Sequence, residues 1–308
     1  MAKYDAKHIR NVILLGHQSS GKTTLVESLA LQSGLITLKG EVERKNTLSD
    51  YSVDEQKRGA SIQTAVVPMF YKENKLNIVD IPGNDDFMAE MVGVVGILEG
   101  AVLLVDASVG VQVGTVKHWK QLRKAGTPTF IFINKLDKDN VNFDEVLDDI
   151  KAKLGKNAIP FSYPLGHGAG FDGYANCVNL KAYKSNGKAE QECDIPADLS
   201  GKVSAFHDAI LEEVAKTDDA LLEKFFGGEE FTEEEIQGAL RKGVLAGEIV
   251  PVLVGATLKN IGLKTLLDMF IDFLRVAPTR TGTISPAKTP FLKAPWTSSA
   301  VNSSPIKN

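Results

Sequence analysis

The chain has 308 residues, of which 43% are hydrophobic and 24% charged, and it contains 27 glycines and 12 prolines. This composition is typical of a globular protein, and the length allows two or more packed units. No apolar run reaches the roughly 18 residues that a membrane helix needs, and the polar, basic N-terminus lacks the apolar core of a secretory signal. We therefore expect a cytoplasmic protein that makes no contact with a membrane.

Cysteine usage and charge argue against two further classes of protein. Cys177 and Cys193 have neither CxxC spacing nor accompanying histidine ligands, so a disulfide framework and a zinc site are not expected. The net charge is -4, which disfavours a protein held to nucleic acid mainly by a basic field. We expect no sequence-specific nucleic acid partner.

Short apolar runs alternate with longer segments of helical periodicity in the first half of the chain. The apolar runs predict strands at residues 11–15, 76–79, 101–105 and 129–133. The periodic segments predict helices at residues 23–31, 87–98, 113–124 and 143–154. This order predicts an α/β fold, with right-handed βαβ units and a mostly parallel sheet covered by helices on both faces. Ligands bind such sheets at the carboxyl ends of the strands, so we look for the site in the loops after them.

The second half departs from this alternation. A glycine-rich stretch at 166–173 precedes a mixed segment, 174–193, which predicts a few antiparallel strands. Helical stretches follow at about 197–226 and 232–246, and then a strand at 249–254 and a helix at 263–274. From residue 277 onward the chain holds five Pro, five Thr and five Ser but no acidic residue, which predicts a disordered tail or a truncated linker.

The predicted helices of the second half carry a run of negative charge. Eleven acidic residues and only two lysines lie between Asp208 and Glu235. Such a run is ordinarily a solvated helical face. The sharper alternative is an acidic docking surface for a basic partner.

The first predicted strand leads into a glycine-rich loop with the pattern G-x-x-x-x-G-K-[ST] at residues 16–23. Two glycines let the backbone fold back so that its N–H groups point into one concavity, and the following helix N-terminus also favours phosphate. We expect Lys22 to reach the terminal phosphates and Thr23 to bind Mg²⁺. The predicted phosphate-binding residues are Gly16, His17, Gln18, Ser19, Ser20, Gly21, Lys22, Thr23 and Thr24.

The base of the nucleotide is indicated by Asn134-Lys135-Leu136-Asp137, which follows the strand at 129–133. A carboxylate at Asp137 can accept hydrogen bonds from both the ring N–H and the exocyclic amine of guanine. Adenine offers no matching pair of donors and would leave that carboxylate desolvated and unpaired. We therefore predict guanine binding by Asn134, Lys135 and Asp137.

Two further loops complete the predicted site. Asp80 follows the strand at 76–79, where a carboxylate can hold Mg²⁺ through water. Gly83 can present its N–H to a γ-phosphate and permits a large movement when that phosphate leaves. The backbone N–H groups of Gly255, Ala256 and Thr257, at the end of the last predicted strand, are expected to meet the base carbonyl.

In this order the motifs resemble the five motifs of the translational GTPases, most closely those of elongation factor G and the tetracycline-resistance ribosomal protection proteins. The likeness covers roughly residues 8–278 and rests on residues 16–24, 58–62, 80–87, 134–137 and 255–257. Residues 229–236 resemble the inserted subdomain of elongation factor G, and residues 247–252 resemble its return to the GTPase sheet. Asp137 and Gly255 are 118 positions apart, far more than one helix and one strand need.

The resemblance implies a P-loop GTPase domain at 1–166 and 247–278, an inserted α+β subdomain at 167–246, and a tail or linker at 279–308. It implies GTP or GDP and Mg²⁺ as ligands, and a monomer that acts on the ribosome, including the ribosomal stalk and factor-binding region. It places Ser61 where the family has a threonine that coordinates Mg²⁺. It places Asn84 where the family has the histidine that positions the attacking water, so the implied catalytic set is Asn84, Gly83 and Lys22.

Several positions depart from the family pattern. Ser19 replaces the usual aspartate of the phosphate loop, and Ala256 replaces the usual serine of the base-binding loop. Asn84 cannot carry the charge of an imidazolium, although Asp85 or Asp86 could position the water in its place. Nothing after residue 278 shows the strand alternation of the barrel that follows in elongation factor G, so translocation is not expected of this chain alone.

Two functional hypotheses therefore remain open. The first is a GTP hydrolase of the translation-factor class, switched by contacts of the γ-phosphate and by the ribosome. The second is a GTP-binding, ribosome-associated module or truncated remnant with little or no hydrolysis. A P-loop ATPase or kinase is disfavoured because residues 134–137 suit guanine.

Overall fold

The computed structural model describes residues 5–187 and 190–276. The strands are β1 (Ile9–Gly16), β2 (Ala65–Tyr71), β3 (Asn74–Asp80), β4 (Gly100–Asp106), β5 (Thr129–Asn134), β6 (Ala158–Pro160), β7 (Ser162–Leu165), β8 (Gly173–Asn176), β9 (Lys181–Ser185), β10 (Glu190–Cys193) and β11 (Val250–Val254). The α-helices are α1 (Lys22–Gln32), α2 (Val53–Arg58), α3 (Met88–Val92), α4 (Val113–Ala125), α5 (Phe143–Lys153), α6 (Ala197–Ala215), α7 (Asp219–Gly227), α8 (Glu233–Ala246) and α9 (Leu263–Phe273).

The main sheet has seven strands in the order β2-β3-β1-β4-β5-β11-β6. Every neighbouring pair is parallel except β2 and β3, which are antiparallel. β4 and β5 are buried along their whole length, as expected of strands covered on both sides. This sheet confirms the predicted α/β class, and it brings the carboxyl ends of β1, β3, β5 and β11 to one edge.

α9 shows how an apolar stripe binds a helix to this sheet. Leu263, Leu266, Leu267 and Phe270 recur at the spacing of one helical face, and all four are buried. The Phe270 ring packs against Phe130 of β5, with centroids 6.2 Å apart. The helix therefore fixes the strand that ends in the predicted base-binding motif.

The antiparallel strands predicted within 174–193 are present and form a second sheet together with β7, which was not predicted. β10, β9, β8 and β7 pair in that order, and every pair is antiparallel. β7 begins two residues after β6 ends, so the chain passes almost directly from one sheet into the other. Both sheets lie within one compact unit that ends at residue 277, and the division at 167–246 stays a prediction.

Two predicted helices differ from the structure. The helix expected at 87–98 ends at Val92, because Gly93 and Gly96 disfavour its continuation and both are exposed, so no packing compensates for them. The stretch expected at 197–226 divides into α6 and α7. Asp218 starts the second helix, since its carboxylate accepts a hydrogen bond from the Ala220 N–H at 3.1 Å.

The helix predicted at 232–246 is present as α8. α8 begins at a capping box in which Thr232 and Glu235 bind each other's backbone N–H groups. The tail or linker predicted at 279–308 lies outside the described residues. Among the residues described, no helix is both long and apolar enough to cross a bilayer.

Candidate nucleotide-binding site

A cavity of about 500 Å³ opens at the carboxyl edge of the main sheet. The predicted site residues that line it are Gln18, Ser19, Gly21, Lys22, Thr23, Thr24, Ser61, Gly83, Asn84, Asn134, Lys135, Asp137 and Thr257. The predicted site residues that do not line it are Gly16, His17, Ser20, Asp80, Gly255 and Ala256, all of which are buried except the half-buried His17. Five separate motifs thus meet around one space.

The loop between β1 and α1 has the tight backbone that an anion-binding nest requires. Gly16 and Gly21 have φ values of 149° and 96°, and Ser19 has a φ of 65°. A Cβ on Gly21 would lie 2.4 Å from Asn134 Nδ2, so a larger residue would separate this loop from β5. Glycine is therefore required at this position by both backbone conformation and space.

Lys22 is folded over this loop. Its Nζ donates to the carbonyl oxygens of Gly16 at 3.0 Å and His17 at 3.2 Å. Burial lowers the pKa of Lys22 to about 8, although the carboxylates of Asp80 and Asp50 oppose this shift. Anionic phosphate oxygens beside this nitrogen would favour its charged form.

Gly83 brings the loop after β3 into contact with the phosphate loop. A Cβ at this position would lie 2.2 Å from Lys22 Nζ and 3.0 Å from both the Gln18 nitrogen and the Gly16 oxygen. Only a residue without a side chain allows so close an approach. The predicted γ-phosphate contact of Gly83 and the predicted phosphate contact of Lys22 are thus adjacent.

Asn84 lines the cavity beside Gly83 and is half-buried. Its Oδ1 accepts a hydrogen bond from the Asp86 N–H at 3.2 Å, which closes the short turn ahead of α3. The amide nitrogen has no hydrogen-bond partner among the residues described. Asn84 therefore uses its amide oxygen for the local fold, and its amide donor is not engaged by any described residue.

The three predicted metal ligands form one cluster of oxygens. Thr23 Oγ1 lies 3.0 Å from Asp80 Oδ2 and 3.3 Å from Ser61 Oγ. Asp80 is fully buried, and its Oδ1 has no partner within the described part of the chain. Burial raises the pKa of this carboxyl to about 6, opposed by the Lys22 ammonium. Hard oxygen donors and an unpaired carboxylate oxygen fit a Mg²⁺ ion and its water shell.

The oxygen cluster includes two residues that were not predicted from the sequence, Ser49 and Asp50. Ser49 Oγ donates to Asp80 Oδ2 at 2.8 Å, and Ser61 Oγ donates to Asp50 Oδ1 at 2.7 Å. Ser49 and Asp50 lie in the segment between α1 and α2, which carries no motif of fixed spacing. The one sequence signal that could have indicated Asp50 is an acidic residue shortly before the motif at 58–62.

Ser61 is held in place through Glu55 of α2. One carboxylate oxygen of Glu55 accepts hydrogen bonds from the N–H groups of Ile62 at 3.0 Å and Gln63 at 3.1 Å. Burial acts to raise the pKa of Glu55, but these bonds and those from Ser52 outweigh it and hold the pKa below its ordinary value. The sequence signal was the capping-box spacing of Ser52 and Glu55.

Asn134 links the phosphate loop to the loop after β11. Its Nδ2 donates to the Ser20 carbonyl at 2.9 Å, and its Oδ1 accepts from the Thr257 N–H at 3.0 Å. Lys135 adds a second link, because its Nζ lies 2.6 Å from both the Ser19 carbonyl and Asp106 Oδ2. Asp106, the last residue of β4, was not predicted from sequence.

The side chains of Asn134 and Lys135 are hydrogen-bonded, whereas the carboxylate of Asp137 has no hydrogen bond or ion pair with any described residue. It is half-buried and lines the cavity. A carboxylate held there without a protein partner is free to accept the two donors of guanine. This geometry is the one that the base-specificity prediction needs.

The backbone of the loop after β11 is already occupied by protein contacts. The N–H groups of Gly255, Ala256 and Thr257 donate to Ile133 O, Ile261 O and Asn134 Oδ1, respectively. A base carbonyl would have to share one of these hydrogens. The predicted contact of this loop with the base therefore stays a prediction.

The fold, the phosphate loop and the oxygen cluster together define a P-loop nucleotide-binding domain. Residues 7–276 match the family model of the elongation factor Tu GTP binding domain. The chain belongs to this family, and it is a translational GTPase of the elongation factor G kind, as its motifs indicate.

The chain is also similar to a solved protein of Thermus thermophilus. The two sequences are 32% identical, the TM-score is 0.83, and the match covers 88% of this chain. The same match covers 41% of the Thermus protein, so this chain spans less than half of that relative. What a longer relative does as a whole is therefore not established for this chain.

Proposed function

We propose that this chain binds GTP and GDP together with Mg²⁺ and hydrolyses GTP in contact with the ribosome. The observation that carries this proposal is that one cavity is lined both by groups suited to phosphate and by a group suited to guanine. Lys22 and Thr23, which contacts the buried Asp80, line this cavity together with the partnerless carboxylate of Asp137.

The groups of the loop at 16–23 suit the phosphates of a nucleoside triphosphate. The backbone N–H groups of residues 17–22 and the Lys22 ammonium bind the β- and γ-phosphate oxygens. Thr23 and Ser61, with Asp80 acting through water, would hold Mg²⁺, which would supply positive charge to neutralise these oxygens. The hydroxyls of Thr23 and Ser61 would then turn from their present partners toward the ion.

Hydrolysis needs a water molecule in line with the γ-phosphorus. The water oxygen forms a bond to that phosphorus, the bond to the β–γ bridging oxygen breaks, and GDP and phosphate result. The Gly83 N–H would hold the γ-phosphate, and the Asn84 amide would orient the water. Because Asn84 carries no charge and its oxygen already binds the Asp86 N–H, we expect slow chemistry.

The acidic run on the helices of the second half would suit a docking contact with a basic protein surface. Its two lysines are already paired: Lys216, directly after α6, with Glu212 and Glu213 at 2.9 Å and 2.8 Å, and Lys224 of α7 with Glu235 of α8 at 2.8 Å. Most of the other acidic residues of the run are exposed, which leaves a net negative surface. The same exposure also suits a solvated helical face, so the acidic run supports the partner less strongly than the cavity supports nucleotide binding.

The second candidate is a GTP-binding module that contacts the ribosome but hydrolyses little or no GTP. Asn84 is the observation that favours it. Single-turnover GTP hydrolysis, measured with and without ribosomes, separates the two functions. Ribosome-stimulated cleavage supports the hydrolase, and bound GTP that stays uncleaved supports the module. Displacement of GTP by an equal concentration of ATP would contradict both.

A further inference from the structure

Lys39 links a distant segment of the chain to the loop at 257–262, which begins at the last residue of the predicted base-binding motif. The Nζ of Lys39 donates to the Thr257 carbonyl at 2.5 Å and lies 3.4 Å from Asn260 Oδ1. Lys39 and Thr257 are 218 positions apart, and both line the cavity. The contact therefore closes one side of the space proposed for the nucleotide.

The segment that carries Lys39 is anchored independently to α1. The Gly40 N–H donates to Glu27 Oε2 at 2.9 Å, and the Leu48 N–H donates to Glu27 Oε1. A Cβ on Gly40 would lie 2.6 Å from the Asn46 carbonyl oxygen and 2.8 Å from Glu27 Oε2. Residues 40–48 thus form a compact loop against α1, and Lys39 reaches from its start across the cavity.

The two residues that accept hydrogen bonds from Lys39 are also held in place by other hydrogen bonds. The Thr257 carbonyl accepts a second hydrogen bond from Ser28 Oγ at 2.9 Å. The Asn260 amide nitrogen donates to the Gly187 carbonyl at 3.2 Å, and Lys259 Nζ lies 3.2 Å from the Ala169 and Phe171 carbonyls. The loop is therefore held on its other side by the segments that surround the second sheet.

Lys39 is an unusual choice for a purely structural contact. Its two acceptors are neutral, and burial lowers its pKa to about 8, with Glu27 and Glu41 opposing that shift. A half-buried ammonium between neutral acceptors is a costly way to hold two loops together. Its place at the side of the cavity suggests a role that depends on the ligand.

We propose that Lys39 is a nucleotide-retaining residue, which links the segment at 39–48 to the loop at 257–262 so that a bound guanine nucleotide leaves only after this contact opens. Lys39 acts through the two loops, so it is a positioning residue. The inference rests on the proposed binding of guanine nucleotides. Because Lys39 is hydrogen-bonded to the loop after β11 and not to Gly83 or the phosphate loop, it retains GDP and GTP alike.

The test is the dissociation rate of fluorescent GDP and of a fluorescent, non-hydrolysable GTP analogue in the presence of Mg²⁺. Loss of a charged hydrogen bond in a partly exposed position predicts a dissociation rate about tenfold faster in Lys39→Met for both nucleotides. Lys39→Arg, which keeps the charge and the donors, should restore a rate close to that of the unmodified protein. Lys39→Gln, which keeps a donor without the charge, should be intermediate and serves if Lys39→Met does not fold.

Lys57→Met is the matched control. Lys57 is an exposed lysine of α2 with no hydrogen bond or ion pair to any described residue, and its replacement should leave both rates unchanged. Equal dissociation from Lys39→Met and the unmodified protein would overturn the inference, as would an increase confined to GTP or failure of Lys39→Arg to restore the rate. If the unmodified protein binds no guanine nucleotide at all, the proposed function and this inference fall together.

Discussion

Gly83 and Lys22 approach each other so closely that a Cβ on Gly83 would lie 2.2 Å from the Lys22 ammonium nitrogen. The same Cβ would lie 3.0 Å from the backbone nitrogen of Gln18. The lysine could move aside, but the phosphate loop could not do so cheaply. The loop that we propose to sense the γ-phosphate is therefore in direct contact with the loop proposed to bind the phosphates.

This contact predicts the effect of Gly83→Ala. The added methyl group should displace the loop after β3 and weaken binding of GTP more than binding of GDP, because only GTP has the γ-phosphate that the Gly83 N–H would meet. Equilibrium titration of both nucleotides checks this. Gly93→Ala is a suitable control, since Gly93 is exposed and the nearest atom to an added Cβ there would be 3.9 Å away. An equal loss for the two nucleotides would contradict the assignment of Gly83.

Lys22→Ala should weaken GTP and GDP binding together. The change removes a buried cation that faces several anionic oxygens, and one charged hydrogen bond of this kind contributes roughly 1.5–3 kcal/mol. We expect dissociation constants in the presence of Mg²⁺ to rise about tenfold or more. Affinity equal to that of the unmodified protein would remove the loop at 16–23 from the site.

Asp137→Asn should change the base preference. The amide replaces an acceptor of the guanine N–H groups by a donor that can pair with the 2-oxo group of xanthine. We expect GTP binding to weaken at least about tenfold, the loss of roughly one charged hydrogen bond, and XTP binding to improve. Competition titrations with the two nucleotides measure this switch, and an unchanged GTP affinity would show that the base lies elsewhere.

Ser61→Ala should reduce the affinity for the Mg²⁺ that accompanies GTP. Ser61 Oγ lies 3.3 Å from Thr23 Oγ1, and its loss removes one oxygen from the proposed metal cluster. We expect a higher Mg²⁺ concentration for half-maximal GTP binding, whereas Ser204→Ala, at an exposed serine of α6, should not change it. A Mg²⁺ titration that does not distinguish these two variants would exclude Ser61 as a ligand.

The parts of the fold that were predictable are those with a strong local signal. β1 was expected at 11–15 and is Ile9–Gly16, because a continuous apolar run is typical of a strand buried on both sides. β2 was missed because it is an edge strand, in which Val67 and Met69 are buried and Val66 and Phe70 are exposed. Its alternating pattern does not stand out as an apolar run.

The same distinction applies to the site. Residues in motifs of fixed spacing, such as Lys22 and Asn134, could be found from sequence because their roles depend on neighbours along the chain. Asp50 and Lys39 could not be found in this way, because no fixed spacing relates them to their partners: Ser61 is 11 positions from Asp50, and Thr257 is 218 positions from Lys39. These contacts depend on how the segment between α1 and α2 folds back against α1, and no local pattern encodes that path.

The central claim is that this is a GTP site whose chemistry is limited by Asn84, and single-turnover hydrolysis of GTP in the presence of ribosomes tests it most directly. An imidazole can orient the attacking water and, when protonated, stabilise the charge that develops, and loss of one such contact typically costs about 10²–10³ in rate. We therefore predict that the unmodified protein binds GTP but cleaves it slowly. Asn84→His should raise the stimulated rate and leave GTP affinity almost unchanged. A fast unmodified protein whose rate is indifferent to replacement of Asn84, Asp85 or Asp86 would contradict this account of the site.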